Sequence, residues 1–166
     1  MPRLLVVHHS PSRSMTSLLE SALAGANDDA NEGVEVLVRH ALDATVEDVL
    51  SSDGYLLGST ANFGYMSGAL KYFFDATFLH IGGDLSSTGE AGESSSGLTA
   101  NRPFGLYVHG RYDPTGAVNS VLSITGALRW RQAAELLVVT GDVTKGDLDA
   151  AFDLGGTLAA IVQGGL

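Results

Sequence analysis

The chain has 166 residues, contains no cysteine and carries a formal net charge of −10. The length predicts one domain spanning residues 1–166, and the lack of cysteine excludes disulfides, thiolate catalysis and cysteine-type zinc sites. The acidic balance argues against nucleic-acid and membrane-surface partners, which need clustered lysine and arginine.

Strand-like and helical patterns alternate along the chain, starting at the N-terminus. No apolar run reaches the ~18 residues of a membrane span, and no cleavage site follows the first strand. Neither a spanning segment nor a signal peptide is predicted, and a cytoplasmic location is the default expectation. Strands are predicted at Leu4 to His8, Val34 to Val38, Gly54 to Leu57, Pro103 to His109 and Leu136 to Val139.

The segments between these strands carry helical periodicity. The first helix has the apolar face Met15, Leu18, Leu19, Ala22 and Leu23. Further helices are predicted at Ala44 to Leu50, Met66 to His80, Thr115 to Leu128 and from Thr144 onward. The third helix has the stripe Met66, Leu70, Phe73, Phe74 and Phe78, and the last has Leu148, Ala151, Phe152, Gly155, Leu158, Ala159 and Val162. Thr144 and Asp147 form a predicted capping box, and the Gly/Ser-rich stretch 82–101 is predicted to be a mobile surface loop.

The alternation of apolar strands with helices indicates an α/β fold, a parallel sheet covered on both faces. Right-handed crossovers leave few topologies for five strands, and the order 2-1-3-4-5 is the commonest of them. In this order, the loops after the first, third and fourth strands converge at one edge of the sheet. Open α/β sheets bind their ligands at that edge.

The loop after the third strand carries the most informative motif, Gly58-Ser59-Thr60-Ala61-Asn62-Phe63-Gly64-Tyr65-Met66-Ser67, followed by Leu70, Lys71, Phe73 and Asp75. It resembles the loop that holds the isoalloxazine ring in flavodoxin-like NAD(P)H-dependent FMN and quinone reductases. The resemblance implies flavin contacts by Ser59, Thr60, Ala61, Asn62, Phe63, Gly64 and Met66. The alternative is an ordinary strand–helix connection in which Phe63 and Met66 anchor the core.

The loop after the first strand is rich in hydroxyl groups and runs into the first helix. Its hydroxyls, the unpaired N–H groups of the helix and the cation of Arg13 suit a phosphate group. Serine and threonine also cap helices in general, so the loop alone does not identify a ligand. It resembles the FMN phosphate loop of the same family, which implies phosphate contacts by Ser10, Ser12, Arg13, Ser14, Met15 and Thr16.

The loop after the fourth strand completes the predicted site. The resemblance implies that it lies along the flavin edge and the ribityl chain, through His109, Gly110, Arg111, Tyr112 and Gly116. Tyr112 is expected to stack on the ring. His109 either meets the N1–C2 side of the flavin or is a strand-end histidine bonded to backbone.

The resemblance implies a flavodoxin-like protein that binds FMN and passes electrons from NAD(P)H to a quinone, flavin or similar small molecule. The cofactor would do the chemistry, so no catalytic side chain is expected. A homodimer or homotetramer is implied, with Phe74, Phe78 and the loop 82–101 as candidate contacts. One alternative is a flavodoxin-type one-electron carrier that docks a redox partner through acidic surface. Another is a fold that has lost its cofactor and acts as a binding module.

The remaining candidates favour structural roles. His8 and His9 adjoin on a strand and are expected to point to opposite faces, so a shared metal is not expected. His40 and His80 have no ligand neighbours at suitable spacing in the sequence. Trp130 is expected to anchor the core or an interface.

Overall fold

The computed structural model describes residues 1–165, which form a sheet flanked by helices. The strands are β1 (Arg3–His8), β2 (Glu35–His40), β3 (Gly54–Asn62), β4 (Tyr65–Met66), β5 (Pro103–Gly110), β6 (Arg131–Gln132) and β7 (Leu137–Thr140). The helices are α1 (Arg13–Ala26), α2 (Val46–Leu50), α3 (Gly68–Thr77), α4 (Thr115–Ala127) and α5 (Lys145–Gly164), with 3₁₀ turns at Asp29–Asn31 and Phe78–His80. No helix in the described range is long and apolar enough to cross a membrane.

The parallel strands lie in the order β2-β1-β3-β5, and β6 and β7 share the far side of β5. Pro103 and Phe104 pair with β6, whereas Tyr107 to Gly110 pair with β7. The fifth strand of the predicted fold is therefore present but interrupted at residues 133–136. With that allowance, the predicted order 2-1-3-4-5 is confirmed.

Two apolar cores cover the two faces of the sheet. The alternation of side chains along β1 sends Leu5 and Val7 to the face under α3 and α4, and Leu4 and Val6 to the face under α1 and α5. The core under α3 and α4 contains the whole predicted stripe Met66, Leu70, Phe73, Phe74 and Phe78, together with Trp130. Trp130 stacks on Tyr55 at 4.0 Å between ring centroids, which confirms its core role.

Two predictions about apolar residues are wrong. Phe152 is 38% exposed, and Leu154 occupies the buried position of α5 instead. Phe74 and Phe78 are buried within the chain's own core, so they are not free to contact a partner chain. The capping box of α5 is confirmed, because Thr144 and Asp147 each accept a hydrogen bond from the other's backbone N–H.

The loop 82–101 connects the end of α3 to the start of β5, so it lies at the amino edge of the sheet, away from the predicted site. Two hydrogen bonds at Thr99 attach the end of this loop to the rest of the chain. The Thr99 hydroxyl donates to the carbonyl of Ile81 at 2.8 Å and accepts from the indole N–H of Trp130 at 2.7 Å.

Helices α1 and α5 touch backbone to backbone. A Cβ on Gly25 would overlap the carbonyl of Phe152, and a Cβ on Gly155 would overlap the carbonyl of Ala22. Glycine therefore sets the separation of the two helices that cover one face of the sheet.

In most helices, replacing glycine by alanine stabilises the protein, but this contact predicts that the replacement is destabilising between α1 and α5. Gly155→Ala should lower the free energy of unfolding by about 1–3 kcal/mol, since the helices must move apart. Gly126→Ala in α4 is the control, because its Cβ would enter open space. That control should be neutral or stabilising by up to about 1 kcal/mol through helix propensity. Urea denaturation of both variants checks this, and equal responses would contradict the packing argument.

Candidate functional site

Three loops meet at the carboxyl edge of the sheet, as the strand order requires. The backbone N–H of His9 donates to the carbonyl of Gly58 at 3.1 Å, which ties the loop after β1 to β3. A Cβ on Gly110 would lie 2.9 Å from that of Ala61, so the loops after β3 and β5 are also in contact. The structure thus brings the three predicted segments together.

The loop after the third strand is a β-hairpin, which corrects the predicted element boundaries. Strand β3 runs on to Asn62 and turns back as β4, which pairs Tyr65 with Asn62. Helix α3 begins only at Gly68, with Ser67 as its N-cap. Met66 therefore lies in β4, and its side chain is buried in the core.

The turn of this hairpin places Phe63 in an unfavourable conformation. Phe63 and Gly64 have φ values of 49° and 74°, the two positive angles that a tight turn between twisted strands requires. Glycine adopts this conformation freely, whereas a bulky side chain does so at a free-energy cost of about 1–3 kcal/mol. Phe63 is also fully exposed, so it does not anchor the core as the alternative interpretation expected.

The hairpin tip is held against the start of α4. A Cβ on Gly116 would overlap the carbonyl of Gly64, so the backbones of these two residues are in direct contact. Because Gly116 has no side chain, the hairpin tip at Gly64 can lie against the start of α4.

The hydroxyls of Ser59 and Thr60 have different roles. The Ser59 hydroxyl is buried, donates to the carbonyl of Thr60 at 2.8 Å and accepts from the N–H of Ser67 at 2.9 Å. Its proton and one lone pair are used to fix the hairpin, so the hydroxyl has no proton left to donate to a ligand. The Thr60 hydroxyl is buried and has no partner.

The loop after β1 presents free backbone donors. The Ser12 side chain caps α1 by accepting from the N–H of Met15 at 3.2 Å. Within residues 1–165, no protein acceptor meets the N–H groups of Arg13 and Ser14. Met15 has its side chain in the core, so only its backbone can serve a ligand. Arg13 and Thr16 are exposed, and Ser10 and Ser14 are partly exposed.

In the third loop, two predicted residues are directed at the segment after β7. His109 is buried, and its Nε2 donates to the carbonyl of Gly141 at 2.7 Å, the backbone-bonded alternative for this residue. Arg111 forms an exposed ion pair with Asp142 at 3.0 Å. Tyr112 is 89% exposed and free to contact a ligand. Gly141 and Asp142 follow β7, outside the three loops in which the site was predicted, and were therefore missed.

Unpartnered polar atoms test whether a ligand fits this edge. Among the described residues, three buried side-chain atoms lack a hydrogen-bond partner: His9 Nδ1, Thr60 Oγ1 and Tyr107 Oη. Buried polar groups are almost always satisfied, so exceptions need an explanation. All three lie at or near the carboxyl ends of β1, β3 and β5. A polar ligand seated on this edge fits them, and free helix N–H groups fit an anionic end of that ligand.

The structure also assembles three histidines that sequence spacing did not connect. The ring of His40, at the end of β2, lies 5.7 Å from that of His8 and 5.6 Å from that of His9 between centroids. The parallel register pairs His8 with His40, a contact between residues far apart in sequence. Sequence spacing indicated no ligand neighbours for His40, whereas the fold places two histidine rings beside it. No group of three or more His, Asp or Glu residues in the described chain is placed to hold a metal.

Comparison with known proteins extends this picture. No family model matches the chain. A flavodoxin from Aquifex aeolicus (strain VF5) is 32% identical over 129 residues, which cover 70% of this chain and 69% of that protein.

Solved structures share the fold. A flavodoxin from the domain Archaea superposes with a TM-score of 0.73 at 15% identity, over 96% of this chain and 98% of that one. A WrbA-like flavodoxin from Agrobacterium tumefaciens gives 0.72 at 15% identity, over all of both chains. With the sheet order, the three converging loops and the Aquifex relative together, the chain belongs to the flavodoxin family.

Proposed function

We propose that the protein binds FMN at the three-loop edge and serves as a one-electron carrier. The observation that carries this proposal is the pair of exposed aromatic residues on adjacent loops, Phe63 and Tyr112. Exposed aromatics are not rare, but Phe63 is also held in a strained conformation. Strain of this kind collects at functional sites, where the surrounding structure enforces it.

Different loops would bind different parts of FMN. Phe63 and Tyr112 offer flat apolar surface for an isoalloxazine ring, and Thr60 offers a buried hydroxyl without another partner. The free N–H groups of Arg13 and Ser14, at the positive end of α1, would receive the phosphate. When bound, FMN supplies the redox chemistry, and the chain orients it and controls access to its faces.

Charge and geometry both favour a carrier. Two aromatics stacked on the ring would leave a nicotinamide little room, whereas an electron can pass through an exposed ring edge. The net charge of −10 suits docking to a basic redox partner.

An NAD(P)H-dependent FMN or quinone reductase is the second candidate. It is favoured by the match of the segment from Gly58 to Asp75 to the reductase pattern. Part of that match has a different explanation, because Lys71 and Asp75 form a 2.6 Å ion pair along the surface of α3. An i,i+4 pair of this kind supports a helix regardless of what the loop binds.

Replacing Phe63 tests the aromatic site. Phe63→Asn should raise the free energy of unfolding of the apoprotein by about 1 kcal/mol, since asparagine tolerates a left-handed turn. The same change should weaken FMN binding roughly tenfold through lost stacking. Urea denaturation and FMN fluorescence quenching measure the two effects. Phe152→Asn on α5 is the control and should leave FMN affinity unchanged. Unchanged FMN affinity in Phe63→Asn would show that this ring does not touch the flavin.

Anaerobic rapid mixing separates the two functions. The FMN-loaded protein is mixed with NADH or NADPH, and flavin absorbance is followed against free FMN at the same concentration. A carrier should be bleached no faster than free FMN by nicotinamide, yet fully by dithionite. Fast bleaching by either nucleotide would establish the reductase instead. Failure of the purified protein to retain or take up FMN would contradict both and favour a binding module.

A further inference from the structure

The three-histidine cluster lies directly beside the loop that receives the phosphate. His8 Nδ1 is 2.9 Å from the hydroxyl oxygen of Ser10, the first residue of that loop with a side-chain hydroxyl. His9 is the neighbour of Ser10 in sequence. His40 stands between the two rings, edge-on to each. The cluster is thus continuous with the loop after β1.

Hydrogen bonds define the free nitrogens of the cluster. His40 Nδ1 accepts from the N–H of Leu42 at 3.1 Å, so the neutral ring carries its proton on Nε2. His9 Nδ1 is buried without a partner. His9 can therefore gain a proton without breaking an existing contact, whereas a proton on His40 Nδ1 would break the contact with Leu42.

No carboxylate balances the cluster. Among residues 1–165, none of the three imidazoles takes part in an ion pair. Arg39, next to His40, is paired with Asp48 at 3.2 Å. The charged residues on the adjoining segments are Arg13 at the start of α1 and Asp43 after β2, and neither forms an ion pair.

The ring of Tyr107, on β5, borders the histidine cluster and the loop after β1. It crosses above Gly58, where any Cβ would overlap it, and brings its hydroxyl towards that of Ser10. Burial raises the pKa of Tyr107, so this group stays neutral throughout the range in which histidine titrates. Among the groups that surround Ser10, the charge change near neutral pH thus falls to the histidines.

We propose that His8, His9 and His40 form a proton-linked phosphate subsite, in which His8 or His9 takes up a proton when the phosphate of FMN occupies the loop beside them. This inference rests on the proposed FMN binding and adds its regulation by pH. In a molecule of charge −10, such a subsite supplies positive charge only when the anion is present.

The sign of the linkage follows from the surroundings of the rings. In the free protein, burial and the neighbouring His40 lower the pKa of both His8 and His9 below the ordinary value of about 6.5. A phosphate dianion favours the protonated imidazole and moves the pKa upward. Affinity should therefore increase as pH falls through the interval between the free and bound pKa values. A site without the histidines would show the opposite trend, because phosphate takes its own second proton near about pH 6.

The test measures the Kd of FMN by fluorescence quenching from about pH 8 to about pH 6. In the wild-type protein, FMN should bind roughly three- to tenfold more tightly at the lower pH. Riboflavin, which lacks the phosphate, should show no such gain. His9→Gln should lose or reverse the gain with FMN, and His8→Gln provides a second variant should the first not fold. His80→Gln, an exposed histidine at the far end of α3, is the matched control and should keep it.

Proton NMR of the imidazole signals supplies a readout that needs no variant. Addition of FMN to the apoprotein should raise the pKa of at least one cluster histidine and leave His80 unchanged. An FMN affinity with the same pH trend in wild type, His9→Gln and His8→Gln would overturn the subsite while leaving FMN binding intact. A trend abolished by EDTA would assign the cluster to a metal and also overturn it. Absence of FMN binding at every pH would overturn the proposed function and this subsite together.

Discussion

The parallel registers of β3 with β1 and β5 are the constraint on which the site depends. They place His8, Gly58 and Tyr107 side by side across three strands, and Thr60 beside His109. Each loop of the site begins within a few residues of one of these positions. Because a slip of one residue would turn each side chain to the other face of the sheet, the two apolar cores fix the register and, through it, the site.

Backbone strain and an exposed aromatic ring occur together at the turn of the β3–β4 hairpin, beyond the paired part of β3. Phe63 is held in a left-handed turn with its ring in solvent, and the glycines Gly64 and Gly116 allow the tip to be pinned to α4. The buried hydroxyl of Ser59 fixes the same hairpin from within. Contacts on both sides therefore fix the hairpin up to its turn. The exposed ring of Phe63 adds no buried contact that would stabilise the fold.

An acidic protein that binds an anion needs local donors. The free N–H groups at the start of α1, the cation of Arg13 and the histidine cluster are all within the first loop or beside it. Their interaction with a phosphate falls off over short distances, whereas the repulsion of net charge acts over the whole surface and is screened by salt. Binding at this edge is therefore compatible with the overall charge.

Much of the fold could be predicted from the sequence, because nearly continuous apolar strands such as Leu4 to Val7 fix a parallel sheet. The convergence of the three loops at one edge was also predicted, because it follows from the strand order. The hairpin was missed because Phe63-Gly64 is not a typical turn pair. The break in the fifth strand at residues 133–136 and the pairing of His8 with His40 depend on contacts between distant segments. No local pattern reports such contacts.

The most direct test of the central claim is a two-dimensional amide NMR titration of the apoprotein with FMN. Shift changes should be concentrated in residues 9–16, 58–66 and 109–116, with smaller changes at Gly141 and Asp142, which contact the third loop. Little change is expected in the loop 82–101 at the opposite edge. Changes centred on that loop, or on the groove that Leu137, Val138, Ala150 and Asp153 line between β7 and α5, would contradict the account if the three segments were unaffected.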